Sequence, residues 1–296
     1  VASSDGLDAW WWVNVVVVPT HPATRPPLDQ DRLADLLRAP ARAAAAGWSV
    51  TVLEEAGSTN AELAGLARGG APEGTVVTTE HQTAGRGRLD RTWAMPARSA
   101  LAVSVLLRPQ VPAASWPWLP LLVGTAVAGV LPAHGVPAVL KWPNDVLVEE
   151  PAASGELRKL AGILVERVDT PEGPAAVVGC GLNTDLDRGE LPVETATSVR
   201  LVTGSSPDRT LLLADLLAAL AEQYAGWAAP GGADALHAAY SRACSTVGRE
   251  VRVELPAGGL LTGRASGIDA GGGLVVDALA GQVVVGAGDV VHVRPA

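Results

Sequence analysis

A chain of 296 residues has room for one large domain, or for a large and a small one. Hydrophobic residues make up 48% and charged residues 18%, a balance that argues against global disorder. The formal charge of −9 argues against a nucleic-acid-binding surface spread over the chain, though not against one local basic pocket. Cys180 and Cys244 form no CxxC pair, so neither a disulfide framework nor a structural zinc site is expected. Both suit small buried apolar positions. Five scattered histidines without an HExxH give no metal site made only of protein ligands. No stretch reaches the ~20 apolar residues that cross a bilayer. The nearest is Ala9–Val18, which Asn14 interrupts. Val1–Asp5 carries no lysine or arginine, unlike the start of a secretory signal. The expected location is cytoplasmic, with no membrane partner.

Residues 1–27 fit poorly with the rest of the chain and are read as an N-terminal extension. Trp10–Trp12 and Val15–Val18 are β-prone, and Pro19, Pro22, Pro26 and Pro27 suit an extended linker. The segment has neither the paired amphipathic helices nor the basic face of a helix-turn-helix. Helical periodicity begins near Asp29, with Leu33, Leu36 and Leu37 on one face and Pro40 as the stop. Ser49–Glu54 alternates as a strand. Thr59 and Glu62 have capping-box spacing, which predicts a helix to about Arg68.

Thr75–Glu80 is a β-branched strand that delivers Gln82 and a glycine–arginine stretch, Thr83–Trp93, read as a loop. This stretch holds Arg86, Arg88 and Arg91 in an acidic chain. Gly85 and Gly87 allow close approach to a ligand. The arginine forks suit carboxylate and phosphate. Ala100–Leu107 reads as a buried strand and Leu119–Leu131 as a helix buried against a sheet. Val136–Val148 reads as strand, interruption at Lys141–Asp145, strand. Lys159–Glu166 and Ala175–Asn183 continue the strands, and Glu149–Arg158 has the composition of a mobile hairpin. Leu211–Trp227 and Ala233–Cys244 are helical by period.

From about Thr246 the pattern changes to short strands with glycine turns, which predicts a small barrel. The expected organisation is an extension over 1–27, a catalytic domain over 28–245 and a small β-domain over 246–296. The expected fold class is α+β, with a mixed, mostly antiparallel sheet.

Taken singly, the segments have plain structural readings: a solvated turn, a helix cap, charged strand ends. Taken together, the glycine–arginine stretch, Lys141–Asp145 and Lys159–Gly162 bring cations, a carboxylate and close-approach glycines to neighbouring strand ends. That equipment suits joining a carboxylic acid to a nucleotide phosphate, because two anions must meet and fixed cations offset their repulsion.

GRGRLDRTW, KWPNDVLV, KLAGILVE and GCGLNT, in this order, resemble the motif set of biotin protein ligases. Gly57–Ser58–Thr59–Asn60 adds an early match and Ala196–Thr197–Ser198 a later one. The resemblance runs from about residue 50 to the C-terminus. It implies an α+β catalytic domain shared with lipoate ligases and a C-terminal SH3-like barrel. The implied activity makes biotinyl-5′-AMP from biotin and ATP, then moves biotin to one lysine of a biotin carboxyl carrier domain.

The resemblance assigns Lys159, Arg88, Asp145 and Lys141 to catalysis. Lys159 bridges the carboxylate and α-phosphate, and Asp145 orients the incoming amine. It assigns Ser58, Thr59, Asn60, Gln82, Gly85, Arg86, Gly87, Arg88, Lys159 and Gly162 to biotin, with Gly162 letting the ring approach the sheet. ATP falls to Arg88, Trp93, Lys141, Asn144, Lys159 and Asn183, with Trp93 on the adenine side. Mg²⁺ is expected on the phosphates.

Leu89–Asp90 stands where many relatives read Arg–Gly. The DNA-binding domain of bifunctional members is not evident, so a single-function enzyme without DNA as partner is expected, as monomer or homodimer. The alternatives are lipoate or octanoyl transfer on the same fold, and a regulator that holds biotinyl-adenylate without transferring it.

Overall fold

The computed structural model describes residues 25–89, 91–150, 156–255 and 258–292. Trp10–Trp12, Val15–Val18, Asp90 and the middle of Glu149–Arg158 lie outside the described residues.

Helix α1 (Gln30–Arg38) starts where Asp29 accepts the Arg32 N–H, and it buries Leu33 and Leu37. Next in the chain are β1 (Ser49–Leu53), α2 (Thr59–Arg68), β2 (Thr75–Thr79), β3 (Gln82–Arg86), β4 (Thr92–Met95) and β5 (Ala100–Leu107). After α3 (Leu119–Val130) come β6 (Ala138–Lys141), β7 (Asp145–Glu149), β8 (Leu157–Thr170) and β9 (Gly173–Asn183). Helices α4 (Val199–Thr203), α5 (Arg209–Ala228) and α6 (Gly232–Ala243) complete the large domain.

The main sheet has seven strands in the order β1-β2-β5-β9-β8-β7-β6. Only β1 and β2 run parallel; the other neighbours are antiparallel. One face carries α3 and α5, with Leu121, Leu122, Val127, Leu213 and Leu217 buried against Val103, Val178 and Ile163. The other face carries α2, where Leu63 and Ala67 pack on Val77, Leu106, Val168 and Val177. Because strand residues alternate between faces, the second face also displays Gly162, Leu164 and Glu166 from β8.

Beyond α6, β10 (Glu250–Glu254), β11 (Leu260–Ile268), β12 (Leu274–Ala278), β13 (Gly281–Val285) and β14 (Asp289–His292) form an antiparallel sheet ordered β13-β12-β11-β10-β14. This is the small β-domain expected from the glycine-punctuated strands. It is fixed to the large domain by tryptophans. Trp142 Nε1 donates to the Gly272 carbonyl at 2.9 Å, and Trp118 Nε1 to that of Ala270 at 2.9 Å.

Three expectations need correction. The α3 region is longer than Leu119–Leu131, since short 3-10 turns extend it to Ala113–His134. That run is long and apolar enough to cross a membrane, contrary to the reading that no stretch is, but half of it is buried inside this fold. It packs on β8 and α5 as a core helix.

Second, the cap of α2 is Ser58 and not Thr59, and the Ser58 hydroxyl makes no capping bond. The Thr59 N–H is taken instead by Gln82 Oε1 at 3.0 Å.

Third, the chain before residue 28 is not all separate from the large domain. Arg25 donates to Glu190 and to the Asp185 carbonyl, and Arg209 donates to the Pro26 carbonyl. Leu28 N–H meets Glu80, itself paired with Arg209 at 2.7 Å.

Candidate active site

The glycine–arginine stretch is a hairpin, not an open loop. In β3 and β4, Gly85 faces Trp93 and Arg86 faces Thr92. A Cβ on Gly85 would collide with the Trp93 carbonyl and the Gln82 amide, so glycine is required for this pairing. The tip is closed by Gly87 N–H to the Arg91 carbonyl at 2.6 Å, with exposed Leu89 at φ 55°. Arg88 crosses to Asn144 Oδ1 at 3.2 Å and to the Gly288 carbonyl at 3.4 Å. Arg91 pairs with Asp289. The tip is thus fastened to the Lys141–Asp145 turn on one side and to the small domain on the other.

Beneath the hairpin lies a cavity of about 1190 Å³. Its wall contains Ser58, Thr59, Asn60, Gln82, Arg86, Gly87, Arg88, Trp93, Lys141, Asn144, Asp145, Lys159, Gly162 and Asn183. Of the residues expected from the sequence, only Gly85 faces elsewhere, into a neighbouring cavity of about 680 Å³.

One end of the cavity is lined mainly by neutral polar side chains. Ser58, Thr59, Asn60 and Gln82 are buried there. Thr59 Oγ1 lies 2.8 Å from Ser104 Oγ, which lies 2.6 Å from Asn60 Oδ1. Asn60 Nδ2 donates to the Leu164 carbonyl at 3.2 Å and to Glu166 at 2.7 Å. Glu166 in turn pairs with Arg86 at 3.2 Å. Gly179 leaves room for Asn60, whose amide occupies the space a Cβ would need.

The other end is charged. Lys159 Nζ lies 2.6 Å from Asp145 Oδ1. The Lys159 backbone is clamped by Thr195 and Thr197, its N–H donating at 2.7 Å and its carbonyl accepting at 2.9 Å. Burial lowers the pKa of Arg88 from its ordinary value, while Asp289 and Asp145 act to raise it. Asn144 Nδ2 donates to the Ile163 carbonyl at 2.9 Å, so both ends of that amide have protein partners. Asn183 is likewise engaged, donating to the Thr197 carbonyl at 2.9 Å.

From the small domain come Arg249, Gly288, Asp289 and His292. Burial pushes the His292 imidazole down to about 4, with Lys141 and Arg249 adding to the shift. Cys180 is in the wall too, but burial raises its thiol to about 12, which removes it as a nucleophile.

Trp93 sits between the two ends. A Cβ on Gly181 would lie 2.5 Å from its ring, and one on Gly162 3.1 Å. The indole therefore rests on the two glycines, in the space over Gly162 expected from the sequence to take the biotin ring. Lys159 Nζ stands 5.8 Å from the same ring.

Sequence reasoning missed Ser104, Glu166 and the small domain's contribution. Ser104 had a signal: a hydroxyl inside the fully buried strand Ala100–Leu107 must find a partner. Glu166 had one as well, since it shares a strand face with Gly162. Among the described residues, no three His, Cys, Asp or Glu side chains gather into a metal-binding group.

Two family models match the chain: "Biotin/lipoate A/B protein ligase family" over residues 57–183 and "Biotin protein ligase C terminal domain" over 246–293. They define the class, a biotin/lipoate-type ligase with its C-terminal domain. The chain is 42% identical to the biotin--[acetyl-CoA-carboxylase] ligase of Mycobacterium tuberculosis, across 91% of this chain and 97% of that one. It is 37% identical to the bifunctional ligase/repressor BirA of Escherichia coli over 58% of this chain and 52% of that one. A solved biotin protein ligase from Aquifex aeolicus, in complex with biotin and ATP, matches with a TM-score of 0.70 at 27% identity. The match covers 83% of this chain and 99% of that one. The chain belongs to the biotin protein ligase family.

Proposed function

We propose that the cavity forms biotinyl-5′-AMP from biotin and ATP, then passes biotin to a lysine of a biotin carboxyl carrier domain such as that of acetyl-CoA carboxylase. The observation that carries this is the division of one cavity into a neutral hydrogen-bonding end and a cationic end. A ureido head offers two N–H donors and one carbonyl acceptor. Ser58, with no bond to its own helix, and Gln82 and Thr59 are suited to meet them. The cationic end suits a carboxylate and a triphosphate.

In the first step the biotin carboxylate attacks the α-phosphorus. A P–O bond forms to the carboxylate, the bond to the β-phosphate oxygen breaks, and pyrophosphate leaves. Arg88, Lys141 and Lys159 offset the repulsion of the two anions, each positioned donor being worth about 3–4 kcal/mol. Phosphate competes with Asp145 for Lys159, so substrate binding opens the ion pair. Mg²⁺ on the phosphates would supply further neutralisation of the pyrophosphate. Among the described residues no cluster of carboxylates gathers to hold such an ion, so phosphate oxygens would be its main ligands.

In the second step the carrier amine attacks the mixed anhydride carbonyl. A C–N bond forms, the C–O bond to AMP breaks, and the amine proton passes to Asp145 or to solvent. The hairpin lies over the site and keeps water from the anhydride. The catalytic unit in this reading is the large domain from about residue 28 to 245. The domain from 246 onward closes the phosphate end.

Lipoate transfer is disfavoured by the neutral end, because a dithiolane offers the buried Ser58, Thr59 and Gln82 neither a donor nor a strong acceptor. A regulator without turnover is disfavoured by the Lys159–Asp145 pair. Incubation with ATP, labelled biotin and a carrier domain separates the three. Label on the carrier supports the ligase, adenylate that stays bound supports the regulator, and labelling only with lipoate supports the sibling activity.

A further inference from the structure

Glu166 has no role in the two steps above, yet it joins the neutral end of the cavity to the hairpin. Its Oε2 accepts from Asn60 Nδ2 at 2.7 Å and from Arg86 at 3.2 Å. The other Asn60 amide hydrogen goes to the Leu164 carbonyl at 3.2 Å. With both hydrogens held by oxygens that only accept, the Asn60 amide cannot turn over. Its Oδ1 must therefore face Ser104, 2.6 Å away.

That constraint propagates. An amide oxygen only accepts, and a hydroxyl has one hydrogen. Ser104 must give its hydrogen to Asn60 and so can only accept from Thr59, whose Oγ1 is 2.8 Å distant. The other acceptor near the Thr59 hydroxyl, Gln82 Oε1, is 3.4 Å away and also lies within the protein. Both acceptors lie on the inner side, so when either takes the Thr59 hydrogen only lone pairs face the cavity.

We propose that Glu166 is a positioning residue that sets the hydrogen-bond polarity of the head-group pocket through Asn60, Ser104 and Thr59, and that also holds Arg86 of the hairpin. The inference rests on the biotin reading, in which a ureido N–H needs an acceptor at Thr59. Removing the carboxylate frees the Asn60 amide to turn, Ser104 to reverse, and Thr59 to aim its hydrogen into the cavity. The pocket then loses its preference for a donor. A glutamine at 166 keeps an acceptor for Asn60 but gives up the ion pair with Arg86, so the two tasks of Glu166 come apart in one substitution.

The test compares binding of biotin with binding of its two cyclic carbamate analogues, in which one or the other ureido N–H is replaced by ring oxygen. The wild-type protein should prefer biotin to at least one analogue by about tenfold, the scale of a lost hydrogen bond with an acceptor facing an acceptor. Glu166→Ala should shrink that ratio about threefold or more, and Ser104→Ala should do the same from the far side of the relay. Glu166→Gln should restore the wild-type ratio while adenylate dissociation stays faster than wild type.

A purely structural role would weaken all ligands together and leave the ratio fixed. Ratios unchanged in Glu166→Ala and Ser104→Ala variants that melt as the wild type does would overturn the inference while leaving the ligase reading intact. No biotin binding by the wild type would instead remove the ligase reading itself.

Discussion

Lys159 Nζ and Asp145 Oδ1 stand 2.6 Å apart at the charged end of the cavity, joining the start of β7 to the neighbouring strand β8. Both side chains keep some solvent access, at 32% and 18%, so the pair can exchange partners. The lysine backbone is clamped by Thr195 and Thr197, so only the side chain is free to move. In the proposed mechanism the pair holds Lys159 ready for phosphate, and its opening releases a carboxylate for the incoming carrier amine.

Substitution should separate the half-reactions. Lys159→Ala removes a positioned cation and should slow adenylate formation about 10²- to 10³-fold with the fold retained. Asp145→Asn should leave adenylate formation within about tenfold and reduce transfer by about a hundredfold, within the range of general base catalysis. Rapid-quench measurement of each step checks this. Wild-type adenylate formation in Lys159→Ala would reject the role given to the lysine.

Arg88 fastens the hairpin tip to Asn144 and Gly288. Arg88→Gly should loosen the cover over the adenylate, raise its dissociation rate about tenfold or more, and allow released adenylate to label lysines indiscriminately. Stopped-flow displacement with unlabelled biotin gives the rate, and an unchanged value contradicts the hairpin's part in retention.

Trp93 rests on Gly162 and Gly181. A methyl at 181 would meet the ring at 2.5 Å, so Gly181→Ala must displace the indole. Overpacking of this kind costs about 1–3 kcal/mol. Titration should show weaker biotin binding by about tenfold or more. Biotin affinity equal to wild type would mean that the indole position does not matter to the ligand.

Arg209 and Glu80 form a buried pair at 2.7 Å, with Glu80 also meeting the Leu28 N–H. Arg209→Met leaves that carboxylate buried without its cation and should lower unfolding stability by about 3–5 kcal/mol. Urea denaturation reads the change. A loss under about 1 kcal/mol would show that solvent replaces the guanidinium easily.

His292 is held neutral when folded, with its pKa lowered to about 4 by burial and then by Lys141 and Arg249. The unfolded chain binds this proton below about pH 6.5. Between those values the unfolded state holds more protons, so stability falls as pH drops from 6.5 towards 4. Partial exposure screens the effect to the order of 1 kcal/mol. Melting curves of His292→Gln should be flatter across that window than those of the wild type.

The strands, the main helices and the small β-domain were legible because apolar period and glycine turns mark them directly. The gathering of Arg88, Lys141, Asp145 and Lys159 was legible because each lies at the end of a recognisable strand or in the hairpin between two. The hairpin itself was not. Its residues carry no apolar alternation, and its pairing depends on Gly85 admitting the Trp93 backbone, which only the third dimension shows. The seat of Trp93 was hidden for a related reason: small residues at 162 and 181 say that something large lies above them, not what. The anchoring of Arg25 to Glu190 joins positions 165 residues apart, beyond any local pattern.

The most direct test of the ligase mechanism tracks pyrophosphate and carrier together. With ATP and biotin but no carrier, the protein should release close to one equivalent of pyrophosphate and stop with adenylate bound. Adding a biotin carboxyl carrier domain should restart turnover and place one biotin on one lysine. Biotin-independent pyrophosphate release, or a bound adenylate that never passes to the carrier, would contradict the mechanism.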